Sequence, residues 1–175
     1  MEKITFNNAD ELKDFGFEGF ISIEELNKNM KIIPNEKGIY IVYYDNLEKP
    51  VFNEIGTGPL LYKKERNPNI KLIEIIENWV DGTKVLYIGK AGGTDKNGKQ
   101  QSTHLRNRLS TYFSFGKGKD VRHWGGRLIW QINEPNKLKI CWKKTPKEEP
   151  SEIESKLISH FKFIHSKRPF ANLKD

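Results

Sequence analysis

The pattern of apolar and polar residues predicts a chain of short strands and helices without internal repeats. Runs rich in β-branched and aromatic residues predict strands at residues 39–44, 84–89, 128–132 and 138–142. Apolar residues at helical spacing predict helices over residues 22–29, 70–80, 102–113 and 151–165. Ser102 or Thr103 is the expected cap of the third helix, a Gly- and Lys-rich loop spans 90–101, and 168–173 is expected to be an extended tail.

The composition is that of one domain with a hydrophobic core. Of the 175 residues, 36% are hydrophobic and 11% aromatic, which argues against disorder. No apolar stretch approaches the roughly 18 residues of a membrane helix, and residues 1–15 lack the apolar region of a signal peptide. Cys141 is the only cysteine. A disulfide framework within one chain and a cysteine-based zinc site are therefore excluded, and a cytoplasmic location is expected.

Positive charge is concentrated in one third of the chain. Residues 84–130 hold ten Lys and Arg but two acidic residues, whereas the formal charge of the whole chain is +7. The rest of the chain is therefore close to neutral. Because solvent-exposed surfaces usually mix their charges, this segment favours a polyanionic partner over an ordinary basic face.

The basic segment also contains the spacing of a phosphate-binding loop. Gly93, Gly98 and Lys99 fit the GxxxxGK pattern, but Gln100 stands where the Ser or Thr that holds Mg²⁺ belongs. The chain also lacks room for the parallel sheet that such loops usually serve. We therefore expect a flexible basic loop and no nucleotide cofactor.

Charged residues lie on or beside the apolar faces of two predicted helices. Glu154 falls in the middle of an apolar stripe, where a carboxylate needs a partner. Ser151 and Glu154 have the spacing of a capping box, so either a cap or a divalent-cation ligand would explain this carboxylate. Arg108 borders an apolar face beside Tyr112, and Arg106 lies on the other side. Each arginine fits either a surface role or a phosphate clamp.

Five short segments resemble, in family order, the motifs of the GIY-YIG nuclease superfamily. The first two are Gly38-Ile39-Tyr40 and Tyr87-Ile88-Gly89. The family's arginine helix, acidic helix and terminal asparagine motif are similar to residues 105–112, 154–158 and 169–172. Each tyrosine taken alone would be explained as a core aromatic residue on a strand, so it is the ordered set that carries the resemblance.

The resemblance implies a fold and an activity. The fold is α+β, with a small central antiparallel sheet of three core strands flanked by helices. Residues 1–175 would form a single domain, in which 1–37 is an N-terminal extension and 45–83 is an insertion that contains a helix. Family members cleave nucleic-acid phosphodiesters with one divalent ion, so Mg²⁺ or Mn²⁺ is the implied cofactor.

The resemblance also implies a role for each matched residue. Tyr40 and Tyr87 would approach the scissile phosphate, Arg108 would bind it, Glu154 would hold the metal ion, and Asn172 would support the site. A lysine after the second motif and a tyrosine four residues past the arginine also match functional positions of the family. The implied catalytic residues are therefore Tyr40, Tyr87, Lys90, Arg108, Tyr112, Glu154 and Asn172.

Tyr87 is the expected general base. Its pKa would have to fall by roughly three units from about 10 to serve near neutral pH. Lys90, Arg108 and a metal ion are the cations available to lower it. Because the loop after the second motif is longer than in minimal family members, Lys96 and Lys99 are alternatives to Lys90.

Target recognition would come from the insertions at 45–83, 90–101 and 115–127, since the sequence shows no helix-turn-helix or zinc finger. Trp124 suits either base stacking or the core. The candidate nucleic-acid-binding residues are Lys96, Lys99, Arg106, Lys117, Lys119, Arg122 and Arg127.

The short chain is most similar to stand-alone restriction-type members, for which DNA is the substrate and a homodimer suits the cutting of two strands. RNA stays an alternative substrate, because nothing in the chain reads a 2′-hydroxyl. A nucleic-acid-binding module that kept the fold but lost catalysis is the competing interpretation. The presence of all the matched residues favours the enzyme.

Overall fold

A central antiparallel sheet organises the computed structural model, which describes residues 4–63, 65–94, 97–121 and 123–173. The four strands of the sheet are β1 (Glu18–Ser22), β2 (Gly38–Tyr43), β3 (Val85–Ala91) and β6 (Lys139–Lys144), in the order β1-β6-β2-β3. A hairpin of β4 (Gly93–Thr94) and β5 (Gln100–Gln101) follows β3. The helices are α1 (Ala9–Asp14), α2 (Ile23–Lys28), α3 (Leu72–Asn78), α4 (Leu105–Gly116) and α5 (Pro150–His165).

The core lies on both faces of the sheet. Successive residues of a strand point to opposite faces, and β2 is buried along its whole length because both its faces and both its edges are covered. Ile39 and Ile41 pack in one cluster with Leu157 and Phe161 of α5. Tyr40 packs in a second cluster, which contains the buried residues of α2, α3 and α4. The sheet therefore forms the middle layer between two sets of helices.

The α+β class is confirmed, but the sheet has four strands where three were expected. The additional strand, β1, comes from the N-terminal extension and pairs with β6. It was not predicted because its five residues contain Gly19 and are interrupted by an irregularity between Gly19 and Ile21. No helix among the described residues has both the length and the apolar character needed to cross a membrane.

The prediction of a strand at 128–132 is wrong. These residues form most of a 3₁₀ helix, Arg127–Gln131, which follows Gly126 in the left-handed conformation. All of Leu128, Ile129, Trp130 and Gln131 are buried, so the run has no alternation that could separate a strand from a buried helical turn.

The insertion packs against this 3₁₀ helix, and the buried side chain of Gln131 supplies several of the hydrogen bonds. The Gln131 amide nitrogen donates to the carbonyl oxygens of Asn53, Glu54 and Ile70, at 3.2, 3.1 and 3.0 Å. Its amide oxygen accepts from the Ile70 backbone at 3.0 Å. The predicted helix at 70–80 is confirmed in a shorter form, as α3.

Two predicted helix starts are wrong. Helix α4 begins at Leu105 with His104 as its N-cap, in place of Ser102 or Thr103. Helix α5 begins at Pro150, and the carboxylate of Glu149 caps it by accepting from the Ser151 backbone. The capping box between Ser151 and Glu154 is therefore absent, because Pro150 occupies the first helical position and moves the cap before it. The tail at 168–173 contains a turn, in which Asn172 N–H donates to Pro169 O at 2.9 Å.

Candidate active site

The tyrosines of the two tripeptide motifs meet across Gly89. Tyr40 of β2 lies opposite Gly89 of β3 in the strand register. A Cβ atom at Gly89 would lie 2.6 Å from Cζ of Tyr40 and 2.8 Å from Cε1 of Tyr87. Only glycine therefore leaves room for the Tyr40 ring to lie across β3. This explains physically why the second motif ends in glycine.

A third tyrosine completes a triangle of rings. The ring centroids of Tyr40 and Tyr87 are 5.9 Å apart, and Tyr112 of α4 lies 6.3 Å from Tyr40 and 6.1 Å from Tyr87. Tyr40 and Tyr112 are fully buried, whereas Tyr87 keeps 7% of its surface exposed. The structure thus brings together three predicted site residues that are distant in sequence.

Two glycines of the basic segment cover the tyrosine hydroxyls. Tyr112 Oη donates to the carbonyl oxygen of Gly126 at 3.1 Å. A Cβ atom at Gly125 would lie 3.1 Å from Oη of Tyr87. The backbone at these positions therefore lies directly on the phenol groups, a contact that no sequence pattern indicated.

Glu154 is the carboxylate of this region. Burial raises the pKa of Glu154 to about 7, although Lys90 and Arg108 both act to lower it. Within the described part of the chain, its carboxylate forms no hydrogen bond or ion pair. Helix α5 thus carries a carboxylate that feels the positive charge of two side chains, Lys90 and Arg108, and whose pKa lies near neutral pH.

Burial raises the pKa values of the tyrosines, whereas a general base at neutral pH needs a lowered pKa. It raises the pKa of Tyr87 well above its usual value, and the negative charges of Tyr40 and Glu154 add to this, while Arg108 opposes it. Burial likewise raises the pKa of Tyr40. Without a bound cation, desolvation of the phenolate therefore outweighs the nearby guanidinium, and a lowered pKa of Tyr87 in the presence of a metal ion stays a prediction.

Arg108 is held among groups that favour its positive charge. Burial alone would lower the pKa of Arg108, but the phenolate forms of Tyr40 and Tyr87, a contact with the Tyr40 hydroxyl and the Glu154 carboxylate together raise it. By strict hydrogen-bond geometry, its Nε and the Tyr40 hydroxyl are buried without a partner among the described residues. Unpaired buried donors are rare in folded proteins and call for an explanation, such as a catalytic role or a bound water or ion.

The donor set fits a single hard cation held mainly by its own water and by substrate. Glu154 supplies a carboxylate, the ligand type that Mg²⁺ prefers, and Mg²⁺ usually takes one or two protein carboxylates and keeps several waters. The described residues contain no group of three or more His, Cys, Asp and Glu side chains that could enclose a metal. A closed protein site is thus absent there, while a one-carboxylate site is compatible.

The structure puts Lys90 near Glu154. The Lys90 ammonium group donates to the Thr94 carbonyl oxygen at 3.0 Å and to the Ser151 hydroxyl. Lys99, one of its two alternatives, is exposed on the following loop, and Lys96 lies outside the described residues.

Asn172 pairs with the backbone of β3 between Tyr87 and Gly89. Its amide oxygen accepts from Ile88 N–H at 2.9 Å, and its amide nitrogen donates to Ile88 O at 2.8 Å. The side chain is 9% exposed. Asn172 therefore acts on the site through the strand that carries Tyr87.

The candidate nucleic-acid-binding residues differ in their surroundings. Arg106 donates to the carbonyl oxygens of Ile33 and Lys31, at 2.8 and 3.2 Å. Arg127 donates to Pro68 O at 3.1 Å and lies 4.2 Å above the ring of Trp124, which in turn packs 5.0 Å from Tyr62. Two others, Lys117 and Lys119, are exposed, and Arg122 lies outside the described residues. The two arginines hold parts of the fold together, whereas the lysines face solvent.

His123 is a neighbour of the site that sequence reasoning left without a role. Its ring packs on Tyr112 with centroids 4.4 Å apart, and neither ring nitrogen has a hydrogen-bond partner within the part of the chain that the structure describes. Burial and then Arg108 hold the pKa of His123 well below its usual value, so the ring is neutral. A lone histidine in a Gly-rich segment gave no signal for this position.

Comparisons with protein-family models, with curated proteins and with solved structures found no match to this chain.

Proposed function

We propose that the protein is a metal-dependent endonuclease that hydrolyses phosphodiester bonds in DNA, on a fold of the GIY-YIG type. The observation that carries the proposal is the convergence of Glu154 with Arg108 and Lys90 beside Tyr40 and Tyr87. These side chains come from β2, β3, α4 and α5, and they influence one another's ionisation. A purely structural core would have little reason to gather two cations, an unpaired carboxylate and three phenols.

Each group has a task in phosphodiester hydrolysis. Arg108, already unpaired at Nε, would bind non-bridging oxygens of the scissile phosphate through its guanidinium fork. Lys90 would add a second positive charge where negative charge develops in the transition state. Glu154 would hold Mg²⁺ or Mn²⁺, which when bound neutralises charge on the phosphate and lowers the pKa of water.

The tyrosines would act first as neutral hydroxyls. Because their pKa values are raised, Tyr40 and Tyr87 are protonated at neutral pH and can hydrogen-bond to water or phosphate oxygens. Tyr87, the more exposed of the two, would be the one to meet substrate. It would become the base only if substrate and cation binding reversed the effect of burial on its pKa.

The decisive experiment compares two carboxylates of α5. Glu154→Ala should abolish Mg²⁺- or Mn²⁺-dependent cleavage of supercoiled plasmid while leaving DNA retention in a gel nearly unchanged. Glu152→Ala is the matched control, since Glu152 is exposed and forms a surface ion pair with Lys156. Sequencing the cut ends would reveal any recognition site, and parallel RNA substrates would decide between the two nucleic acids.

A binding module without catalysis is the second candidate, and the cover on the tyrosines favours it. The Tyr40 hydroxyl is fully buried, and Gly125 and Gly126 lie over the other two phenols. Wild-type protein that retains DNA but cuts neither DNA nor RNA with either metal would establish this candidate. Sedimentation with and without a DNA duplex would test the accompanying proposal of a homodimer.

A further inference from the structure

The side chain of Lys90 is fixed by the first turn of α5. The Lys90 ammonium group donates to the Thr94 carbonyl oxygen and to the Ser151 hydroxyl. The Ser151 hydroxyl in turn donates to the same Thr94 carbonyl oxygen at 2.6 Å. The three groups thus form a closed set of contacts, in which Ser151 accepts from Lys90 and donates to Thr94. A lysine side chain is normally flexible, so this set gives the ammonium group one direction.

The ammonium group of Lys90 lies at the N-terminus of α5, a position that by itself disfavours a positive charge. The N-terminus of a helix carries partial positive charge, which repels a cation. Glu149 counters this charge, because its carboxylate accepts from the backbone of Thr94 at 2.8 Å and of Ser151 at 3.3 Å. The same contacts join β4 to the helix, so Thr94 and Ser151 are themselves held in place.

Ser151 also relates Lys90 to the carboxylate of the site. Ser151 and Glu154 are three residues apart on α5 and therefore lie on one face of the helix. Lys90 contacts Ser151 and acts electrostatically on Glu154. An ammonium group has three N–H donors, and Ser151 and Thr94 accept two of them among the described residues.

We propose that Ser151 is a positioning residue, whose hydroxyl directs the remaining N–H donor of Lys90 toward the phosphate bound beside Glu154. The inference rests on the proposed nuclease function for its catalytic consequence. Its structural part, the ordering of Lys90 by Ser151, holds independently of activity.

The kinetic test uses Ser151→Ala, with Ser155→Ala as the control on an exposed position of the same helix. Ser151→Ala should lower the single-turnover cleavage rate constant roughly 10- to 100-fold, with little change in the affinity for DNA. Ser151→Thr keeps a hydroxyl and should restore most of the rate, whereas Ser155→Ala should match wild type. In a Lys90→Ala background, Ser151→Ala should have no further effect.

The second measurement is NMR of the Lys90 ammonium and ε-methylene groups, which reports side-chain order without any cleavage. Order should be high in wild type, Ser155→Ala and Ser151→Thr, and low in Ser151→Ala. If Ser151→Ala folds poorly, Ser151→Cys can replace it, because cysteine keeps the volume but is a weaker acceptor. This variant should show the same loss of Lys90 side-chain order.

The outcomes separate the two proposals. Wild-type order and rate in Ser151→Ala, or an equal loss of rate in the Lys90→Ala background, would overturn the positioning role. If the order of the Lys90 side chain depends on Ser151 but the protein cleaves no nucleic acid, the contact is supported and the proposed nuclease function is overturned.

Discussion

Gly89 and Tyr40 occupy adjoining space across two paired strands, and a single methyl group at Gly89 would enter the ring of Tyr40. Gly89→Ala should therefore destabilise the protein by about 3 kcal/mol, since overpacked cores are strained and neither strand can retreat from a buried sheet. The free energy of unfolding in urea measures this cost.

A double-mutant cycle tests the stated cause of that loss. In a Tyr40→Leu background the clash with Cζ and Oη is removed, so Gly89→Ala should cost clearly less. Equal costs in both backgrounds would mean that the strain comes from another neighbour, for which Tyr87 at 2.8 Å is the candidate.

The stability of the protein should fall as pH rises through the range in which Glu154 ionises. Its pKa is about 7 in the folded protein and near its ordinary value of 4.5 when unfolded. The folded state therefore binds the proton more tightly, and this contribution is complete below pH 4, then is lost between pH 4 and 7, by up to about 3 kcal/mol.

Glu154→Gln should remove that pH dependence. The variant should gain stability relative to wild type between pH 5 and pH 8, measured by urea unfolding without divalent metal. Glu152→Gln, which alters an exposed carboxylate, should follow the wild-type curve. Parallel curves for wild type and Glu154→Gln would contradict the burial of this carboxylate.

The residues of the candidate site could be predicted from the sequence, but the direction in which their pKa values shift could not. Tyr40, Tyr87 and Arg108 could be grouped from motif order, and the structure brings them together. The rise in the pKa of Tyr87 depends on the residues that cover it, including Gly125, and such coverage cannot be read from spacing. A capping box of Ser151 and Glu154 was one of two explanations that the spacing allowed, and the adjacent Pro150 places the cap at Glu149.

The fold was predictable where periodicity was clean. The strand at β2 and the long helix α5 have clear apolar patterns, and both are present close to their predicted bounds. The 3₁₀ helix Arg127–Gln131 was not predictable, because its buried glutamine bonds to a distant insertion and its apolar run is enclosed on all sides.

Asn172→Ala should weaken the strand that carries Tyr87. It removes two hydrogen bonds and leaves the N–H and carbonyl of Ile88 without their partners, at a cost of about 2 kcal/mol. If the site is catalytic, cleavage should fall while DNA retention persists. Asn69→Ala, which removes a bond to the Gly56 backbone in the insertion, is a control for the loss of an asparagine–backbone bond away from β3.

The exposed lysines and the engaged arginines should respond differently to substitution. Lys117→Gln with Lys119→Gln should leave stability unchanged but weaken DNA binding, and should reduce the slope of log affinity against log salt by about 2. Lys13→Gln with Lys28→Gln removes the same charge outside the basic third and should leave binding nearly unchanged.

Arg106→Gln should instead lower the free energy of unfolding, by about 1–2 kcal/mol, because two backbone carbonyls lose their donor. A variant of normal stability with greatly weakened DNA binding would show that Arg106 serves the nucleic acid.

The C-terminal tail has a consequence for how two copies of the chain could associate. Ala171 N–H donates to Leu86 O, and the Asn172 amide engages both backbone groups of Ile88, so polar groups along the outer border of β3 are already satisfied. A second molecule could not extend the sheet there by adding its own strand unless the tail first detached. Self-association through the β3 edge would therefore require release of the tail, and truncation after Pro169 would expose that edge to aggregation.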